Sequence, residues 1–256
     1  MKAKLFLIFC SLLVYAGTTF AADVILNEYN AVGGAQYLGA SGADSYWGRV
    51  AGNGGDWFEL VVITDHLDMR EWGFVVSWYD AGIPARQSEI LWLTGNAIWS
   101  DLRSGTIITV SEDLSDDISY DPLAGDWWIN VQANASSGTG TYIEKQNFPV
   151  NNDDWQLIIK DDTDAVIFGP VGEGVIGGGP LVNNSEIFRL EADPSATITP
   201  YSNYDDADSQ STFGAPNCWG GSVQDFSGLR SAVIPEPATV LLLGIGSLPL
   251  LRKPKR

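Results

Sequence analysis

Asp56-Trp57-Phe58-Glu59-Leu60-Val61-Val62-Ile63 is a run of aromatic and β-branched residues, opened by an aspartate and closed by Thr64-Asp65. Such side chains suit a pleated, half-buried surface, and so short a run bounded by turn residues predicts a strand. The same signature recurs on both sides of it. Residues 24–29, 72–79, 90–93, 106–110, 127–131 and 185–190 read as further strands. Residues 155–160 and 165–168 predict a hairpin turned by Asp161-Asp162-Thr163-Asp164. Outside the two termini no segment carries a 3.6-residue apolar stripe longer than two turns. The expectation is an all-β chain whose many short strands form a sandwich.

Two stretches break this rhythm. Residues 31–55 hold eight glycines in 25 positions, a long loop for a compact domain. Residues 169–179 hold six in 11, among them Gly172-Glu173-Gly174-Val175-Ile176-Gly177. That hexapeptide has the dinucleotide-binding spacing, but Gly178-Gly179-Pro180 follows instead of a helix, and Glu173 would repel phosphate. A surface loop is the better reading.

The termini differ from the body. Met1-Lys2-Ala3-Lys4, the apolar stretch 5–16 and small residues before Ala22 predict a secretory signal peptide over residues 1–21, cleaved between Ala21 and Ala22. Cys10 would leave with it. At the other end Pro235-Glu236-Pro237 precedes an apolar run over 238–251 and the basic cluster Arg252, Lys253, Lys255 and Arg256. As a helix, 14 residues would reach about 21 Å against a hydrocarbon core of about 30 Å. Gly244, Gly246 and Pro249 weaken it further. The run predicts a short hydrophobic helix acting as a provisional membrane anchor, with its basic end cytoplasmic. The prolines keep Pro-Glu-Pro extended and open to an enzyme.

Of the 32 acidic residues only Glu236 lies outside 22–234, and only eight of the 14 Lys and Arg lie inside it, so this body carries a formal charge of −23. Nucleic-acid binding, which relies on Lys and Arg, is excluded as a leading reading. A soluble surface protein, or one that gathers cations, fits. Cys218 is the single cysteine beyond the signal, so no internal disulfide is expected; it reads as buried, the alternative being an intermolecular link.

At Pro235-Glu236-Pro237, the apolar run and the basic end, the tail resembles the PEP-CTERM sorting signal of Gram-negative bacteria. The resemblance implies processing by an exosortase. The chain would be exported by the secretion machinery, anchored in the inner membrane in transit, and delivered to the cell surface or the exopolysaccharide matrix. The body resembles lamin-tail domains at 25–29, at Trp57-Phe58-Glu59-Leu60, at 67–72, at 152–157 and at Ser211-Thr212-Phe213-Gly214-Ala215-Pro216-Asn217. It departs from that pattern at Val62, where an Asn is common, at Glu71, where a Gly precedes the Trp, and at Phe213, where a Pro is usual. This second resemblance implies an immunoglobulin-like β-sandwich.

Candidate chemistry is sparse. His66, the single histidine, lies in a polar turn, which suits a surface residue better than a member of a Ser-His-Asp triad. One His and one Cys do not make a zinc site. No metal site is assigned; calcium stays open, since the aspartates at 113, 116–117, 161–164 and 205–208 offer oxygen ligands, although turn chemistry explains them. Glu28 and Glu59 are the most tempting pair for glycoside hydrolysis, but inside the sandwich they are expected to pair with backbone or a basic partner. Among ten tryptophans, Trp57 and Trp155 are expected in the core. Trp47, Trp99, Trp127 and Trp128 are candidates for exposure, and Trp47 is the candidate ligand contact, through stacking on a sugar ring.

The division expected is a signal peptide at 1–21, a lamin-tail-like sandwich at 22–219, a linker at 220–233 and the sorting segment at 234–256. The function expected is a non-enzymatic structural or interaction module, the alternative being a polysaccharide-binding module and, behind it, a carboxylate hydrolase. No cofactor is expected.

Overall fold

The computed structural model describes residues 22–80, 83–174 and 182–230. The expected signal peptide with Ala21, the Pro235-Glu236-Pro237 motif, the apolar run and Arg252, Lys253, Lys255 and Arg256 lie outside them. Among the described residues no helix is long and apolar enough to cross a membrane.

The chain is all-β. Its strands are β1 (Val24–Asn30), β2 (Ala43–Asp44), β3 (Trp57–Val62), β4 (Gly73–Trp78), β5 (Gln87–Trp92), β6 (Ile107–Ser111) and β7 (Trp128–Gln132). They continue as β8 (Gln156–Lys160), β9 (Val166–Val171), β10 (Ile187–Leu190), β11 (Tyr204–Ala207), β12 (Gln210–Ser211), β13 (Cys218–Trp219) and β14 (Ser222–Val223). A six-stranded sheet has the order β11-β10-β1-β3-β6-β7 and a four-stranded sheet the order β5-β4-β8-β9; β2 with β12 and β13 with β14 form two small pairs. Pairing in the two large sheets is antiparallel except between β6 and β7. The predicted hairpin is β8 and β9, turned at Asp161, whose Oδ1 accepts from the Thr163 and Ala165 amides.

One apolar cluster joins the two large sheets. Phe58 meets Phe74 edge-on at 5.8 Å between ring centroids, and Tyr29 meets Trp155 at 4.4 Å. Burying each such ring contributes roughly 1.5–3 kcal/mol. Trp57 and Trp155 are fully buried, as expected.

The register decides what lies on the other face. Leu26 pairs with Leu60, but the next pair is Glu28 with Glu59, so Asn27 is an extra residue, a β-bulge. Strict alternation would set Leu26 and Glu28 on one face and Tyr29 on the other. The bulge keeps Leu26 and Tyr29 together in the core and turns Asn27 and Glu28 outward. This outer face is covered by the glycine-rich stretch 31–55 and by residues 208–217. Trp57 donates its indole N–H to the Asn53 carbonyl and packs edge-on against Phe213.

Several expectations change here. Residues 31–55 are not a plain loop: they carry β2 and a 3-10 turn, Ala51–Gly54. Tyr204–Ala207 is a strand at the edge of the large sheet, where aspartates on a free edge deter further pairing. Residues expected as linker pack on the body: Phe226 is buried, and a short helix, Ser227–Arg230, closes the described chain. Cys218 is half-buried on β13 instead of enclosed. Trp99, a candidate for exposure, is fully buried, because the 3-10 turn Ala97–Trp99 aims its indole N–H at the Tyr142 carbonyl.

Candidate functional site

The densest polar arrangement lies under residues 211–217, on the outer face of β1 and β3. Glu28 and Glu59 are fully buried cross-strand neighbours. Ser211 Oγ lies 2.7 Å from Glu28 Oε1, Thr212 Oγ1 lies 2.8 Å from Oε2, and the Thr212 amide donates to Oε1. Glu59 accepts from Asn27 Nδ2 at 2.6 Å and from the Gly214 amide at 2.7 Å. Asp44, on β2, accepts from the amides of Tyr46, Trp47 and Phe213. Asn217 Nδ2 donates to the Asn27 and Leu190 carbonyls, and Gln224 closes the group on the Asn217 amide. Each end of the body thus supplies what the other leaves unpaired.

Of the two partners expected for these glutamates, backbone is present, in the Thr212 and Gly214 amides, and a basic one is not found among the described ion pairs. Arg189 stands opposite Glu28 on β10, but its guanidinium is taken by Glu191 and the Gln210 carbonyl. Burial pushes the Glu28 carboxyl up to about 7, with the Asp44 charge adding to it. Burial, then the charge of Glu28, holds Glu59 well above the usual carboxylate range. Both carboxyls are fully enclosed by the described residues.

Other carboxylates do share clefts: Asp68, Glu71 and Asp162 line one, and Asp56 and Glu112 another. With Trp78, Glu89 and residues 146–149 the latter two line a cavity of about 420 Å³. Asp56 accepts from the Val150 amide and Glu112 from the Phe148 amide. Burial raises Asp56 to about 6 against the Val150 hydrogen bond, with Asp113 adding, and burial also raises Glu112. Raised carboxyls in a cleft are the arrangement acid–base chemistry uses. Asp56 opens one predicted strand and Glu112 lies two residues beyond another, the only signal sequence carries for them.

The aromatic candidates gather around Phe213. Tyr46 is half exposed and touches Trp47, Trp128 and Phe213 at 4.9–5.7 Å. Trp47, the expected ligand contact, is half-buried, and its indole N–H is enclosed without a hydrogen-bond partner among the described residues. Tyr46 is therefore the open ring of this group. Trp127 is half-buried under the Arg230 guanidinium.

The acidic turns resolve into backbone caps. Asp116 accepts from the Gln132 amide and Thr139, Asp117 from Ser119, and Asp205 and Asp206 lie in β11. Among the described residues no three His, Cys, Asp or Glu side chains are grouped to hold a metal ion. His66 is exposed at φ 57°, with Nδ1 2.7 Å from Asp101, a surface turn as expected. Of the hexapeptide Gly172–Gly177, the last three residues lie outside the described chain.

No family model, curated protein or solved structure matches this chain.

Proposed function

We propose that this is an exported, non-enzymatic module of the cell surface or exopolysaccharide matrix. Its body is an immunoglobulin-like sandwich of the lamin-tail kind, and an exosortase processes it at Pro235-Glu236-Pro237. The observation that carries the reading is the order of the tail: Pro-Glu-Pro, apolar run, basic cluster, behind a strongly acidic body and opposite a secretory leader. The lamin-tail part draws support from one departure that the geometry makes intelligible, at Glu71; another, at Phe213, is a difference from the family. Glu71, at the family's glycine position, has φ 63°. Phe213, at the family's proline position, donates its amide to Asp44, which a proline could not do.

Deleting residues 235–256 tests the reading. The truncated protein is expected to leave the cell envelope fraction while keeping the circular dichroism of the intact body. An unchanged distribution defeats the proposal, as does mass spectrometry of surface protein that finds residues 1–21 and 235–256 intact.

A second reading, polysaccharide binding, rests on the open ring of Tyr46 beside Trp128 and Phe213. Tyr46→Ala is expected to abolish retention on acidic or neutral glycans and Trp47→Ala to weaken it. Wild-type protein that binds neither class removes this reading.

A further inference from the structure

We propose that Glu28 is a neutral acid in the folded protein and shares its proton with Ser211 and Thr212, fastening residues 211–217 to the six-stranded sheet by a clasp that loosens when the proton leaves. The argument is a count of hydrogens. Ser211 Oγ lies 2.7 Å from Glu28 Oε1 and 2.6 Å from Asp44 Oδ2. Thr212 Oγ1 lies 2.8 Å from Glu28 Oε2 and 2.9 Å from Asn217 Oδ1. The Asn217 amide is oriented by its Nδ2 contacts to two carbonyls, so Oδ1 faces Thr212 and accepts only. Four short oxygen–oxygen contacts therefore share two hydroxyl protons, since each hydroxyl donates once. A third proton on Glu28 bridges a further contact. Placed on Oε2 it passes to Thr212 Oγ1, freeing the Thr212 hydroxyl for Asn217. Placed on Oε1 it passes to Ser211 Oγ, freeing that hydroxyl for Asp44.

The surroundings favour the neutral form. Glu28 faces Glu59 on β3, Asp44 on β2 and Arg189 on β10, whose charge is taken by Glu191. Asp205, next on β11, is exposed, and residues 210–217 bring no charge. Burial, the main cause, and Asp44 both push the Glu28 carboxyl upward. Once ionised, Glu28 would face the Asp44 carboxylate across a Ser211 hydroxyl that has a proton for only one of them. Residues 211–214, joined to β1 and β3 largely through these carboxylates, would be the first to detach.

The test uses the full chain. An infrared difference spectrum, wild type minus Glu28→Gln at pH 6, is expected to show the C=O band of a neutral carboxylic acid; carboxylate bands instead overturn the proposal. Glutamine supplies an N–H where the acid has its O–H, so between pH 5 and 7 the unfolding constant of this variant should rise by up to about tenfold less per pH unit than that of wild type. Equal slopes count against the clasp. If Glu28→Gln does not fold, wild-type hydrogen exchange decides. Corrected for intrinsic rates, the amides of 212–214 should lose protection between pH 6 and 8 while those of Phe58 and Leu60 keep theirs. Parallel behaviour of the two sets overturns the proposal. None of these readouts depends on the tail, so their failure leaves the sorting reading untouched.

Discussion

Glu28 and Glu59 stand directly opposite each other on β1 and β3, both fully buried, and every hydrogen bond that reaches them comes from a hydroxyl, an amide or a backbone N–H. Two buried acids with no cation paired to them among the described residues demand exacting polar contacts, because an unmet partner in a dry interior is expensive. The chain draws most of these contacts from one segment, 211–217, more than 150 residues away.

Asn217 is the keystone of that segment, since its amide serves the Asn27 and Leu190 carbonyls and meets Thr212. Asn217→Ala is expected to destabilise the protein by about 2–4 kcal/mol, by leaving these buried groups unpaired. Urea unfolding measures it, and a loss under about 1 kcal/mol would mean that the segment is held mainly by Phe213.

Stability should fall as pH rises from 5 to 7.5. Glu28 moves from 4.5 to about 7 on folding and Asp56 from 3.8 to about 6, both chiefly through burial. Between each pair of values the folded state holds more protons than the unfolded one. The stability is full below the unfolded value, declines as pH climbs to the folded value, and levels off above it. Glu28 alone accounts for roughly 3 kcal/mol. Repulsion in an acidic chain has the same sign, so unfolding is followed in high salt, which screens the surface and leaves buried groups largely unaffected. A midpoint that climbs with pH in that window contradicts the assignment.

Glu71→Gly should stabilise the protein by about 0.5–1 kcal/mol, the reverse of the usual effect of glycine. Glu71 has φ 63°, a left-handed conformation that L residues adopt at a cost and glycine freely. Thermal denaturation reads the change; a lower midpoint would show that the Glu71 side chain, exposed beside Gly95, contributes more than its backbone loses.

At the β8–β9 hairpin, Asp161→Ala is expected to cost about 1 kcal/mol. The substitution removes the acceptor of the Thr163 and Ala165 amides and of the Thr163 hydroxyl. Asp162→Ala is the control, since turn chemistry runs through Asp161. Equal losses for the two would assign the effect to the turn's overall charge.

Local chemistry made the strands legible. Runs such as 57–62 and 155–160 are aromatic and β-branched, and the Asp161 turn lies between its strands in plain view. Tyr204–Ala207 escaped because Asp205 and Asp206 have poor strand propensity, and only its place at the sheet edge makes them suitable. Trp99 escaped because nothing nearby in sequence announces the Tyr142 carbonyl that holds its indole.

The order of strands and turns, the acidity of the body and the three-part tail are properties of the sequence itself, since each depends on neighbours along the chain. That Glu28 turns away from the core, that Ser211 and Thr212 arrive above it, and that Asp56 and Glu112 share a cleft are decisions of the tertiary structure. One inserted residue, Asn27, reverses the facing of the strand beyond it, and the partners it then meets lie up to 197 residues away. Alternation read from sequence alone would have placed Glu28 with Leu26, against the apolar core.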